Sequence, residues 1–222
     1  MHGKSVKNHA GIWRRLSVVH SCITLAWVHA GMAGIYTWST GTSGAATDGS
    51  ETWNTTTANW VGAGDVHTIW NNANGDTAVF GAGGTAGTVT ISSGGVTVGG
   101  LTFNATLANG TYVLAGGPLT LTGTPVFQAD THATMNVAIT GTAGFTKTGT
   151  GTLTFSNPNS AFTGDVTLVE GTVLCTSGNI EGTNSVLGRA DVSRTITVSN
   201  SAKLQFNTHN VFGNDGKNPL SH

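Results

Sequence analysis

Between Leu16 and Thr146 the chain has neither lysine nor arginine. Nucleic-acid binding depends on cationic side chains that neutralise phosphate, and attraction to an anionic membrane surface needs the same charges. Both partners are therefore excluded for this stretch. Cysteine is almost as scarce, with Cys22 near the start and Cys175 far downstream. A lone thiol in the remaining chain makes no internal disulfide, so the fold must rest on packing and hydrogen bonds. Charged residues of both signs make up only 9% of the sequence. No apolar run is long and unbroken enough to span a bilayer. Long helices are excluded as well. The 33 glycines are scattered, and each costs about 0.8–1 kcal/mol in a helix relative to alanine.

The start of the chain has its own pattern. Lys4, Lys7, Arg14 and Arg15 precede an apolar stretch from Leu16 to Val28 that ends in small residues around Ala30 and Ala33. A basic start, a short apolar middle and small residues at the close form a secretory signal peptide, expected over residues 1–33 with cleavage after Ala30 or Ala33. An internal amphipathic helix is the competing reading. A lipidated Cys22 fits poorly, because apolar sequence continues beyond it and His20 interrupts the run. With the leader removed, five basic residues face ten acidic ones, a net of about −5 with histidine neutral.

Residues 34–86 form a Gly-, Asn- and Asp-rich region holding Trp38, Trp53, Trp60 and Trp70. From Gly87 to Asn207, threonine alternates with apolar residues in short runs closed by Gly, Asn or Pro, which is the period of half-buried strands. Expected strands include Thr88–Ser92, Val96–Asn104, Thr111–Leu114, Leu119–Thr122, Met135–Thr140, Thr152–Phe155, Asp165–Val169, Thr172–Thr176, Thr195–Ser199 and Lys203–Asn207. Val166–Leu174 lies over Ile196–Leu204 at an offset of 30 residues, and Val89–Val98 has the same apolar-Thr-apolar form. Val166, Leu168, Val173 and Leu174 are expected to supply most of the inward stack there, with Thr167 facing out. Loose repetition of a strand–turn–strand unit favours a parallel β-helix. Asn109-Gly110 is a hairpin candidate that a β-sandwich would use instead.

One segment carries a family resemblance. Lys147-Thr148-Gly149, Gly151-Thr152-Leu153-Thr154, Phe162-Thr163-Gly164 and Glu170-Gly171-Thr172 fall at the spacing of the autotransporter-associated β-strand repeat, also called the passenger-associated transport repeat. Phe145 and Phe162 stand where the pattern has Leu and Tyr. Residues 144–174 resemble one such repeat. The resemblance implies an exported protein of the cell surface whose right-handed parallel β-helix is a passenger segment supporting secretion and adhesion. It also implies a C-terminal membrane barrel of amphipathic strands. The tail 208–222 has no such pattern, so the expectation is a fragment, or a chain that pairs with a separate or missing outer-membrane barrel.

Catalysis is not expected. Between Gly87 and Thr176 the only carboxylates are Asp130, Asp165 and Glu170, and the only base is Lys147. Sugar-cleaving chemistry needs paired carboxylates at a set separation, and a surface ion pair with Lys147 explains Asp165 and Glu170 as well. His67, His132, His209 and His222 are isolated in sequence and sit in no nucleophile motif. Gly62–Asp65 and Asn72–Asp76 have some oxygen ligands of a calcium loop but lack its closing Glu, so they read as turns. No cofactor and no metal are expected. Trp38, Trp53, Trp60 and Trp70 admit two readings: a platform stacking on surface polysaccharide, or a plug over the first coil. A solenoid must close its end, which favours the plug.

Overall fold

The computed structural model describes residues 32–105, 110–176, 183–190, 193–199 and 201–207. All but the last two residues of the expected signal peptide, and the tail 208–222, lie outside the described residues. The strands in chain order are β1 (Ile35–Trp38), β2 (Glu51–Trp53), β3 (Trp60–Val61), β4 (His67–Thr68), β5 (Thr77–Phe80), β6 (Thr88–Ile91), β7 (Val96–Phe103), β8 (Tyr112–Gly116) and β9 (Leu119–Ala129). They continue as β10 (Ala133–Asn136), β11 (Ile139–Thr140), β12 (Phe145–Thr148), β13 (Thr152–Phe155), β14 (Val166–Leu168), β15 (Gly171–Cys175), β16 (Ile196–Val198) and β17 (Ala202–Phe206). Among the described residues no helix is long and apolar enough to cross a membrane.

These strands build a β-solenoid. The first sheet runs β16-β14-β12-β9-β7-β5-β1 and the second β17-β15-β13-β10-β8-β6-β2, so the chain alternates between two walls as it climbs. Pairing from coil to coil is parallel along both walls, for example Thr146 with Thr167 and Leu153 with Val173. The front halves of β7 and β9, with β11, form a third short row set off by a register shift between Val98 and Gly100. Corresponding residues lie 20 apart at Ala133 and Leu153 but 31 apart at Val173 and Leu204. Corner loops of unequal length cause that spread, which is why the repetition reads as loose. Pairing continues without a break across residue 86, since β2 pairs β6 and β5 pairs β7.

The Thr/apolar alternation sets the facing. In β13 the order Thr-Leu-Thr-Phe puts Leu153 and Phe155 inside, with Thr152 and Thr154 outside. Stacked coils place like residues above one another: Phe80 lies over Phe103 at 5.2 Å between ring centroids and Phe127 over Phe145 at 4.6 Å, each pair 14° from parallel. Cys175 takes an inward place as a small apolar group, and burial pushes its thiol pKa up to about 12. The 30-residue offset is the true register of the first sheet, where Val166, Thr167 and Leu168 pair Ile196, Thr197 and Val198.

Four expectations change. Val89 belongs to the second sheet and Val166 to the first, so their likeness is one of strand chemistry and not of position. Asn109 lies outside the described residues, but the strands on either side of Asn109-Gly110, β7 and β8, lie in different sheets and do not pair as a hairpin. The single strand expected over Met135–Thr140 is two, with Val137 at the corner between walls. Val166, Leu168 and Val173 point inward as expected, but Leu174 follows Val173 in the alternation and takes the outer face. Leu168→Ala is expected to cost about 2–5 kcal/mol, the loss for a buried Leu, and Thr167→Ala less than about 1 kcal/mol. Equal shifts of the two denaturant midpoints would show the facing to be wrong.

Candidate functional site

The corner that follows β12 holds the chemistry of the repeat segment. Alternation through Phe-Thr-Lys-Thr gives Lys147 an inward position, and its side chain is fully buried. Its ammonium donates to the carbonyls of Thr148 (2.7 Å), Gly149 (2.7 Å) and Glu170 (3.1 Å). An ammonium has three donors, and here each finds a carbonyl. Two belong to its own corner and one to the corner of the next coil. Burial draws its pKa down to about 8, opposed by the carboxylates of Glu170 and Asp130. The surface ion pair expected with Asp165 and Glu170 is therefore replaced by a buried clamp on backbone oxygens.

Glycine is required around this clamp. Gly171 has φ +72°, and a Cβ there would come within 2.3 Å of the Gly149 carbonyl and 2.8 Å of Lys147 Nζ. Gly149 has φ +77°, and a Cβ there would come within 2.5 Å of the Ala129 carbonyl below. The motifs Lys-Thr-Gly and Glu-Gly-Thr are the two halves of one joint between coils.

A second joint lies on the same segment. Phe162 is fully buried, with the Arg194 guanidinium 4.7 Å from its ring centroid. Arg194 donates to the carbonyls of Gly164 (2.9 Å), Leu187 (2.8 Å) and Arg189 (2.7 Å). Asp165 accepts the backbone N–H of Thr195 at 2.7 Å. Here too a cation and backbone oxygens tie one coil to its successor.

The tryptophans gather at the other end. Trp38, Trp53, Trp60 and Trp70 are at most 1% exposed. Trp60 is tilted against Trp70 at 4.6 Å, Trp53 at 4.7 Å and Trp38 at 5.3 Å. Trp38 Nε1 donates to the Gly49 carbonyl and Trp70 Nε1 to that of Thr97. β3 and β4 lie across this end of the first sheet, each antiparallel to its neighbour. Asp48 pins the adjoining loop. Its carboxylate accepts from the backbone N–H groups of Gly81 (3.1 Å), Ala82 (3.0 Å) and Gly84 (2.5 Å), and from the Tyr112 hydroxyl. Burial, and then the charged Asp48 acceptor, push the Tyr112 pKa well above the usual phenol range. Asp76 accepts the Gly34 N–H at 2.7 Å, Gly62 caps a short 3-10 turn at Ala63–Asp65, and His67 contacts the carbonyls of Ala58 and Gly44. Among the described residues no group of three or more His, Cys, Asp or Glu gathers to hold a metal.

The model of the passenger-associated-transport repeat matches residues 145–174, the segment from β12 through β15 that contains the Lys147 clamp. The chain carries a passenger-associated-transport repeat. A curated relative, the adhesin BmaC autotransporter of Brucella suis biovar 1 (strain 1330), is 36% identical over 190 residues. That alignment covers 83% of this chain and 5% of the relative, so the chain spans about one twentieth of the curated protein it matches. No solved structure gives a significant match. The repeat and the autotransporter relative make this an exported, cell-surface protein associated with the outer membrane.

Sequence reading found the repeat but not the role of its lysine. Neither did it find Asp48, whose partners lie 33 to 64 residues downstream. The signal for Lys147 was present: it occupies an apolar place in an otherwise strict alternation.

Proposed function

We propose that the chain is a stalk segment of an adhesin-like passenger, without catalytic function, in which the repeat supports secretion through a separate outer-membrane translocator and the four tryptophans plug the first coil. The observation that carries this reading is the Lys147 clamp. It closes only when the Glu170 corner has arrived on the coil before it. In a solenoid, stability is a sum of neighbour interfaces, so each coil that docks outside the membrane adds free energy that opposes backsliding. The buried tryptophan cluster supports the plug, because a solenoid end without a cap exposes its core. The adhesin relative supports a role in attachment.

The test is export from the native host of the full gene product with residues 145–174 replaced by an unstructured Gly/Ser segment of equal length. Surface protein, measured by antibody on intact cells, should fall severalfold while total synthesis is unchanged. Unaltered surface levels would overturn the secretion role.

A further inference from the structure

We propose that the cleft beside Trp70 is a binding site for a neutral saccharide, built by Tyr36, Thr55, Ile69, Asn71, Asn72 and Asp76. It is about 570 Å³ in volume, within the range of small-ligand sites. The tryptophans do not offer their faces there, so this is a different surface from an indole platform.

The chemistry of the lining selects the ligand. Its polar groups are amides and hydroxyls. The only carboxylate, Asp76, is buried and already engaged, with one oxygen on the Gly34 N–H at 2.7 Å and the other on Asn74 Nδ2 at 3.5 Å. Asn72 Oδ1 accepts the Thr97 N–H at 2.8 Å, which fixes the amide plane, while its Nδ2 has no partner among the described residues. Asn71 Oδ1 accepts the Ala73 N–H at 3.0 Å and its Nδ2 donates to Asn74 Oδ1 at 3.3 Å, so this amide is also held in place. A fixed amide with an unspent donor, as at Asn72, suits a hydroxyl group and loses little freedom on binding.

The apolar half is also set in place. The Tyr36 ring stands edge-on to Trp70 at 6.3 Å and 76°. It is flanked by Gly34 and Gly62, where a Cβ would come within 2.7 and 3.2 Å of the ring. The ring is half-buried, its hydroxyl has no hydrogen-bond partner among the described residues, and Ile69, which lines the same cleft, is 50% exposed. A rigid aromatic group and an aliphatic one, next to oriented amides, match a sugar ring with its C–H face and hydroxyl rim. Charge narrows the class further. None of the residues lining the cleft is Lys, Arg or His, so the lining offers no cation to sialic acid, sulfate or phosphate. With Asp76 engaged, no free carboxylate awaits a cationic ligand.

This inference is independent of the secretion role, because a passenger is exported whether or not it binds sugar. The test uses the exported chain on an array of neutral hexose and N-acetylhexosamine oligosaccharides printed beside sialylated and sulfated ones, followed by titration of the ligands retained. Binding should be confined to neutral glycans. Thr55→Trp, which fills the mouth from an exposed position, and Asn72→Ala should each weaken it at least about tenfold. Thr55→Trp should leave the melting curve unchanged. No neutral glycan bound at millimolar concentration, binding of anionic glycans only, or equal binding by Thr55→Trp would each overturn the proposal.

Discussion

Trp60→Ala is expected to cost the fold about 5 kcal/mol, at the upper end of the range for a buried aromatic. The ring is fully buried and meets Trp38, Trp53, Trp70 and Phe80 with centroids 4.6–5.7 Å apart. Tilted and edge-to-face pairs of this kind each add about 0.5–1.5 kcal/mol beyond the area they bury. Deleting the indole leaves a cavity among rigid rings that cannot collapse into it. Trp60→Phe should recover part of the loss. Denaturant melts of the three proteins check this, and an unmoved midpoint for Trp60→Ala would mean that the ring faces solvent, as stacking on sugar requires.

Lys147→Met should cost about 3–4 kcal/mol. Each stranded buried carbonyl carries about 1–3 kcal/mol, and part of the total is returned because the desolvation cost of the charge leaves with the ammonium. The pH dependence separates this clamp from simple packing. The folded pKa of about 8 lies below the ordinary 10.5, so between these values the unfolded chain holds a proton that the folded chain has released. Stability therefore rises with pH across that window and is lost as pH falls through about 8. In Lys147→Met that rise should disappear. A parent protein whose stability stays level from pH 8 to 10.5 would contradict the assignment.

The wall strands were legible because each obeys a local rule. Threonine and apolar residues alternate along β12 to β15, and a Gly, Asn or Pro closes each run, so facing and turn could be read from neighbours in sequence. The same rule explains the slip at Leu174: two adjacent apolar residues cannot share a face, and β15 turns Val173 and Cys175 inward. The longer-range features were not legible in this way. Asp48 gains its purpose from N–H groups more than thirty residues away, and Lys147 needs a carbonyl of the following coil. Periodicity gives the direction of a side chain but not the backbone atom it will meet.

The two strands across the tryptophan end have a further effect on how molecules meet. A parallel stack is polar, and an open parallel edge is a template on which another chain's strand can continue the sheet. At this end the first sheet finishes in β3 and β4, which run against their neighbours. The second sheet finishes in β2, only three residues long and carrying the exposed charge of Glu51. A neighbouring stalk that brings its parallel edge here meets the wrong hydrogen-bond spacing on one wall and a short, charged strand on the other. Among the described residues this end therefore offers no long open parallel edge, and head-to-tail stacking of copies, which needs two complementary ends, is disfavoured there.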